Sequence, residues 1–216
     1  AHAGHLAFIH TIIRHGAIEG SFDPELALNS SETELFFANL RQALLGGRFV
    51  EVAQDGTPTA VPAPGYVYWP ADGDREHPIG FGLFKSMGDL GYELWLTGVD
   101  PQWRGRGHAR AMLSALLATP AGQLAHVVRV KQGGAGSAAM QHLLESLGFA
   151  ATRDTTSTRW FVRAGAPPET SKHAMPFAPN TTATPPPMRT PRAARPRPSS
   201  ATFAKPAGRG SRAEPE

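Results

Sequence analysis

Trp103-Arg104-Gly105-Arg106-Gly107-His108-Ala109 stands between an apolar, strand-like segment and an amphipathic, helix-like one. Glycines at 105 and 107 and alanine at 109 keep bulk away from the main chain, so backbone N–H groups can close on an anion. A helix that follows directly turns the positive end of its dipole toward the same spot. Upstream, Tyr92-Glu93-Leu94-Trp95-Leu96-Thr97-Gly98-Val99 has the aromatic and aliphatic content of a buried strand and is closed by Asp100-Pro101. Downstream, Ala109, Met112, Leu113, Leu116 and Leu117 fall at i, i+3, i+4, i+7 and i+8, one helical stripe ahead of Pro120 and Gly122. The spacing predicts strand, anion loop and helix in succession. On the loop alone, a solvent-facing turn rich in arginine is the competing reading.

Two nucleotide-binding readings fail. A Walker loop needs Gly-x-x-x-x-Gly-Lys-Ser/Thr, and no such lysine follows. A dinucleotide fingerprint places a small residue where Arg110 stands, and an acid about twenty residues later, where the chain has Arg129.

A second landmark lies further on. An apolar strand over residues 125–130 precedes a helix with Met140, Leu143, Leu144 and Leu147 on one face. That helix closes on Leu147-Gly148-Phe149, where glycine takes the left-handed position after the helix and phenylalanine folds back onto it. Residues 150–153 and 157–162 read as a terminal hairpin. Before the loop, residues 3–15 read as a helix with Leu6, Ile9 and Ile13 inward, ended by Gly16. An irregular link covers 17–29. Ser31-x-x-Glu34 reads as a capping box that opens a helix with Leu35, Phe36, Leu40 and Leu44, up to Gly46-Gly47. Strand-like runs at 49–54, 65–69 and 78–87 complete a layered α+β pattern.

Arg104-x-x-Gly107-x-Ala109, which has the form Arg/Gln-x-x-Gly-x-Gly/Ala, together with Pro78-Ile79-Gly80-Phe81 and Leu147-Gly148-Phe149, resembles the GNAT N-acetyltransferase superfamily over residues 1–164. The resemblance implies an α+β (mixed α/β) acyl-CoA N-acyltransferase fold, a central, mostly antiparallel sheet flanked by helices. It implies acetyl-CoA as cosubstrate, a primary amine as acceptor, direct transfer, and no metal. The loop residues Arg104, Gly105, Arg106, Gly107, His108 and Ala109 would hold the pyrophosphate and neighbouring phosphates. Gly98 and Val99 would bring backbone N–H groups to the acetyl carbonyl, where this strand splays from the next and the pantetheine enters as if it were a strand. Ser137 opens the later helix, as its N-cap or as a contact to the cofactor thiol. Family members usually start with a strand before the first helix, so a chain that goes almost directly into a helix is expected to be processed, truncated or missing that first strand.

In the histone-acetyltransferase branch a catalytic glutamate sits six residues before the position of Val99. That makes Glu93 the expected general base, with alternation setting Glu93, Trp95, Thr97 and Val99 on one face of the strand. The family's usual acid, a tyrosine four residues before the glycine of Leu-Gly-Phe, is replaced by Leu144. This departure supports an alternative: a weak or inactive GNAT-fold module that binds acyl-CoA. The acceptor is expected between the helix–helix link and the terminal hairpin, at Glu19, Phe22 and Asp23, with the acidic residues favouring a cationic amine.

Composition divides the chain. From Gly165 onward come 12 of the 20 prolines and 8 Lys/Arg against 3 Asp/Glu, with few large aliphatics. Such a segment buries too little apolar surface to offset its ordering entropy, so residues 165–216 are expected to be a disordered basic tail. The first 164 residues carry 13 basic against 15 acidic groups, so the overall +3 comes from the tail. Nucleic-acid contact through it is left open, but its aromatics, Phe177 and Phe203, are too far apart for a stacking platform. With no cysteine, disulfides and thiolate catalysis are excluded. His5, His10 and His15, spaced by five, drift around a helix and form no metal set. No apolar run has the length of a membrane span and no signal-peptide pattern opens the chain, so a cytoplasmic location is expected. The acceptor remains open between a small amine and a protein, and a homodimer is compatible with all of this.

Overall fold

The computed structural model describes residues 1–52, 55–70 and 77–164. Helix α1 (Leu6–Ile18) follows a short 3-10 turn. Helix α2 (Ser31–Gly46), strands β1 (Arg48–Val52), β2 (Pro58–Pro62), β3 (Gly65–Tyr68), β4 (Gly80–Ser86) and β5 (Tyr92–Val99) come next. Helices α3 (His108–Leu117) and α4 (Pro120–Gln123), strand β6 (Ala125–Lys131), helix α5 (Ser137–Ser146) and the hairpin β7 (Phe149–Asp154) and β8 (Thr158–Arg163) complete it. The tail reading falls on 165–216, outside the described residues.

Six strands form one sheet in the order β3-β4-β5-β6-β8-β7. Every neighbouring pair is antiparallel except β5 and β6. That parallel pair follows from the crossover through α3 and α4, which returns the chain to the same end of the sheet. The runs at 65–69 and 78–87 become β3 and β4, which continue into β5 as an antiparallel meander. Strands β1 and β2 instead make a separate two-stranded ribbon. Strand β2 went unread because it begins and ends in proline, a residue confined to edge strands and strand ends.

Each face of the sheet carries helices. On one face α1 and α2 bury Ile9, Ile12, Ile13, Leu40 and Leu44 against Phe81, Leu83 and Leu96. On the other, Met112, Leu113 and Leu116 of α3 and Leu144 of α5 pack with Phe84, Leu94, Val128, Val130 and Phe161. Two-sided cover explains why β4 is buried at six of its seven residues. The α3 stripe starts at Met112, since Ala109 is exposed.

Three local readings shift. Helix α1 runs through Gly16; a Cβ there would lie 2.5 Å from the Phe22 ring, so the glycine serves a close approach rather than a stop. The cap of α2 is Ser30, whose side chain accepts from the Thr33 N–H, one residue ahead of the expected box. Gly136, not Ser137, caps α5. Gly148 takes the left-handed conformation (φ 86°) and Phe149 is buried, as the helix ending required.

Candidate active site

Strand β5 carries one more residue than β4 can pair. Leu83 faces Leu96 and Phe84 faces Leu94, which leaves Trp95 as a bulge. The bulge reverses the alternation. Leu94 and Val99 lie in the α3/α5 core, whereas Leu96 lies in the α1/α2 core with Trp95 packed against it. Glu93, next to Leu94, therefore faces the α1/α2 side. The expectation that Glu93 and Val99 share a face is corrected, because an unbroken period of two does not survive an inserted residue.

Pairing between β5 and β6 covers Tyr92, Glu93 and Leu94 only. Beyond Leu94 the two strands part. Residues Leu96 to Val99 on one side and Val128 to Lys131 on the other line a cavity of ≈ 540 Å³. The Asp100 N–H donates to the Ile79 carbonyl on the β4 side (2.9 Å). Groups alternate along an antiparallel pair, so the Val99 N–H points away from β4 and into the gap, and the Gly98 N–H points toward β4. The missing side chain of Gly98 has another use: a Cβ would lie 2.6 Å from Ile12, so its absence lets α1 sit close over the strand.

At one end of the gap the loop delivers α3. Gly105 (φ 74°) and Gly107 (φ 83°) are both left-handed with open space where a Cβ would be. Gly107 caps α3 without a side chain, and no acid stands in the first turn. The first N–H groups of this ten-residue helix therefore look outward with a positive dipole behind them. Gly105, Gly107, His108 and Ala109 all line the cavity. Ser137 and Met140 of α5 face them across it.

The arginines divide. Arg104 lines the cavity, but its guanidinium donates to the Val99 carbonyl (3.3 Å) and to Glu19 Oε2 (2.5 Å), tying the loop to the end of α1. Arg106 lies over the Trp103 ring at 5.4 Å, outside the lining. Glu19 is likewise outside it. The hydrogen bond from Arg104 holds the Glu19 carboxyl below its ordinary range, aided by the charges of Arg104 and His15 and opposed by burial. Of the three expected acceptor contacts, Phe22 and Asp23 line the cavity, and Asp23 is ion-paired with Lys131.

Glu93 is 1% exposed and does not line the cavity. Arg129 grips it through Nε and Nη2, the second contact at 2.9 Å. Lys85 Nζ stands 3.8 Å from the same carboxylate and 2.7 Å from Glu51 of the ribbon. Arg129 itself lines the cavity and lies over Trp160 at 5.2 Å. Trp95, Phe36, Arg129 and Lys131 were missed as site residues. Their contacts join segments far apart in sequence, and only the two cations on alternate positions of a strand offered a signal. Leu144 is 1% exposed and points into the core, so no polar group reaches the gap from that position. Among the described residues, no group of three or more His, Asp or Glu converges as a metal site, and no helix is long and apolar enough to cross a membrane.

Known proteins resemble the chain over these elements. The model of the acetyltransferase (GNAT) family matches residues 38–149. Among solved structures, an acetyltransferase from Thermus thermophilus aligns at 14% identity over 76% of this chain and 92% of its own, with a TM-score of 0.50. The PaiA N-acetyltransferase of Thermoplasma acidophilum, in complex with coenzyme A, aligns at 11% identity over 76% and 94% (TM-score 0.48). Spermidine N-acetyltransferase from Vibrio cholerae, in complex with CoA and spermine, aligns at 15% over 73% and 88% (TM-score 0.46). No curated protein matches. At 14% identity the likeness to the Thermus thermophilus structure speaks for the fold alone. The family model, however, spans the bulged strand, the loop and the gap, and on that match the chain belongs to the acetyltransferase (GNAT) family.

Proposed function

We propose that this protein is an N-acetyltransferase that moves the acetyl group of acetyl-CoA directly to a primary amine. The observation that carries this reading is the end of β5–β6 pairing at Leu94, which opens one cavity between the uncapped start of α3 and the α1/α2 face. Backbone N–H groups at Gly105, Gly107, His108 and Ala109 suit a pyrophosphate, and the dipole of α3 reinforces them. The inward Val99 N–H suits the thioester carbonyl, where it would stabilise the charge that builds on oxygen as the amine attacks. The residues present fit the cosubstrate.

In the transfer the amine nitrogen bonds to the acetyl carbon, the C–S bond breaks, and the nitrogen gives up a proton. Glu93 lies off the cavity lining and is gripped by Arg129; the proton passes to solvent water instead. The thiolate leaves without a side-chain acid from position 144, which a thiolate permits because it is far less basic than an alkoxide or an amide anion. The same reading assigns this chemistry to residues 1–164, with 165–216 as a basic appendage, and sets it in the cytoplasm. The burial of Leu144 favours one second reading, a module that binds acetyl-CoA without turnover. Incubating the full chain with acetyl-CoA and a panel of amines, and measuring free CoA thiol, separates the two. Thiol release that requires an amine supports the transferase; saturable acetyl-CoA binding without release from any amine supports the binding module.

A further inference from the structure

Taking the transferase reading as its basis, we infer that the acceptor is an amine bearing a carboxylate beside an apolar body, and that Arg129, positioned by Glu93, selects for that carboxylate. The charge inventory of the cavity carries this. Its lining holds Arg104, Arg129 and Lys131 against a single carboxylate, Asp23, which already pairs with Lys131. The two glutamates nearest to it lie outside the lining, Glu19 bonded to Arg104 and Glu93 behind Arg129. A polyamine would bring further positive charge up against the cationic ends of these pairs, which is unfavourable. A carboxylate meets the same cationic ends, those of Arg104 and Arg129, whose acids lie off the lining.

The face on which Arg129 stands also fixes the rest of the acceptor. Val128 and Val130 lie in the α3/α5 core, so Arg129 and Lys131 alternate toward α1 and α2, opposite the side that the loop and α3 serve. Their cavity neighbours on that side are Phe22, Phe36 and Trp95, an apolar and aromatic wall. An amine with its carboxylate at Arg129 and its body on those rings would reach through the gap toward Val99. Planar guanidinium matches planar carboxylate, and Glu93 is the device that holds its plane. Glu93 is buried, touches two cations and lies off the cavity. Its place is that of a positioning residue.

The test uses the full chain and matched pairs: alanine, leucine and phenylalanine, each against its own amide, with spermidine as the cationic control. Rates are compared at equal free-amine concentration. At least one amino acid should show kcat/KM about tenfold or more above its amide, and spermidine should be the poorest acceptor. In parallel, calorimetry with CoA present compares N-acetyl-phenylalanine and N-acetyl-leucine with their amides, and the carboxylates should bind tighter by a similar factor. Arg129→Lys, which keeps charge but loses the fork, and the doubly neutral Glu93→Gln/Arg129→Gln should both pull the ratio toward one. Amides used or bound as well as the acids, spermidine preferred, or no binding of any acetylated ligand would overturn the inference. If acetyl-CoA binds and the acetylated acids bind preferentially but no amine is turned over, the transferase reading fails while the role of Arg129 in anion recognition stands.

Discussion

The two faces of the sheet share the same strands and treat charge in opposite ways. On the α3/α5 side the loop presents main-chain donors, no cap and no acid in the first turn of α3. On the α1/α2 side nearly everything is side chain: Glu93 with Arg129 and Lys85, Asp23 with Lys131, Glu51 with Lys85, around an aromatic group of Phe36, Phe49 and Trp95. Donors built from main chain suit a constant partner, because any phosphate meets the same N–H groups. Paired side chains suit a chosen partner, because each fixes one shape and one charge. On the proposed function, the first face seats the common cosubstrate and the second a particular acceptor.

The largest expected effect tests whether the second face depends on its pairing. Arg129→Ala leaves Glu93 with only the more distant Lys85, and stability should fall by about 3–5 kcal/mol. Glu93→Gln/Arg129→Gln should cost clearly less, since no charge is stranded. Denaturant midpoints decide, and equal losses would show that the pair is no unit. Next comes Glu93→Gln alone. If the carboxylate positions Arg129, acceptor kcat/KM should fall about tenfold at every pH, whereas a general base would give a loss that shrinks as pH rises and the amine deprotonates unaided. A pH–rate profile separates them.

A smaller effect should separate the faces themselves. Trp95→Leu removes aromatic contact worth about 1 kcal/mol, so the acceptor KM should rise about fivefold while acetyl-CoA affinity holds. Equal changes in both would mean that the faces are not independent. The smallest concerns the strut between loop and α1. The folded-state Glu19 carboxyl lies below its usual 4.5, so its contribution is full above that value and fades as pH falls through the lower folded one. Because Glu19 and Arg104 are 26% and 40% exposed, Glu19→Gln should cost under about 1 kcal/mol near neutral pH. The gap in Tm between variant and parent should close in acid.

The same division marks what the sequence made legible. The loop, the α3 stripe and the Leu147-Gly148-Phe149 ending are local patterns, and each rests on conformations a few adjacent residues dictate; Gly107 and Gly148 are left-handed as required. Glu93 was misplaced because one bulge at Trp95 turns the strand over, and a bulge is set by the partner strand. Glu19 and Asp23 were read as open carboxylates because their cations, Arg104 and Lys131, stand 85 and 108 residues away. No spacing rule reaches that far. The capping shifts at Ser30 and Gly136 are the ordinary one-residue uncertainty of helix ends.

On the proposed function, the loop and the start of α3 hold the anionic end of acetyl-CoA. Gly107→Val tests it most directly, because a branched side chain at φ 83° is strained and stands where backbone must meet phosphate. Calorimetric titration of acetyl-CoA into parent and variant, both shown to be folded, should reveal affinity lowered at least about tenfold, or 1.4 kcal/mol. Equal affinity in a folded variant would contradict the assignment.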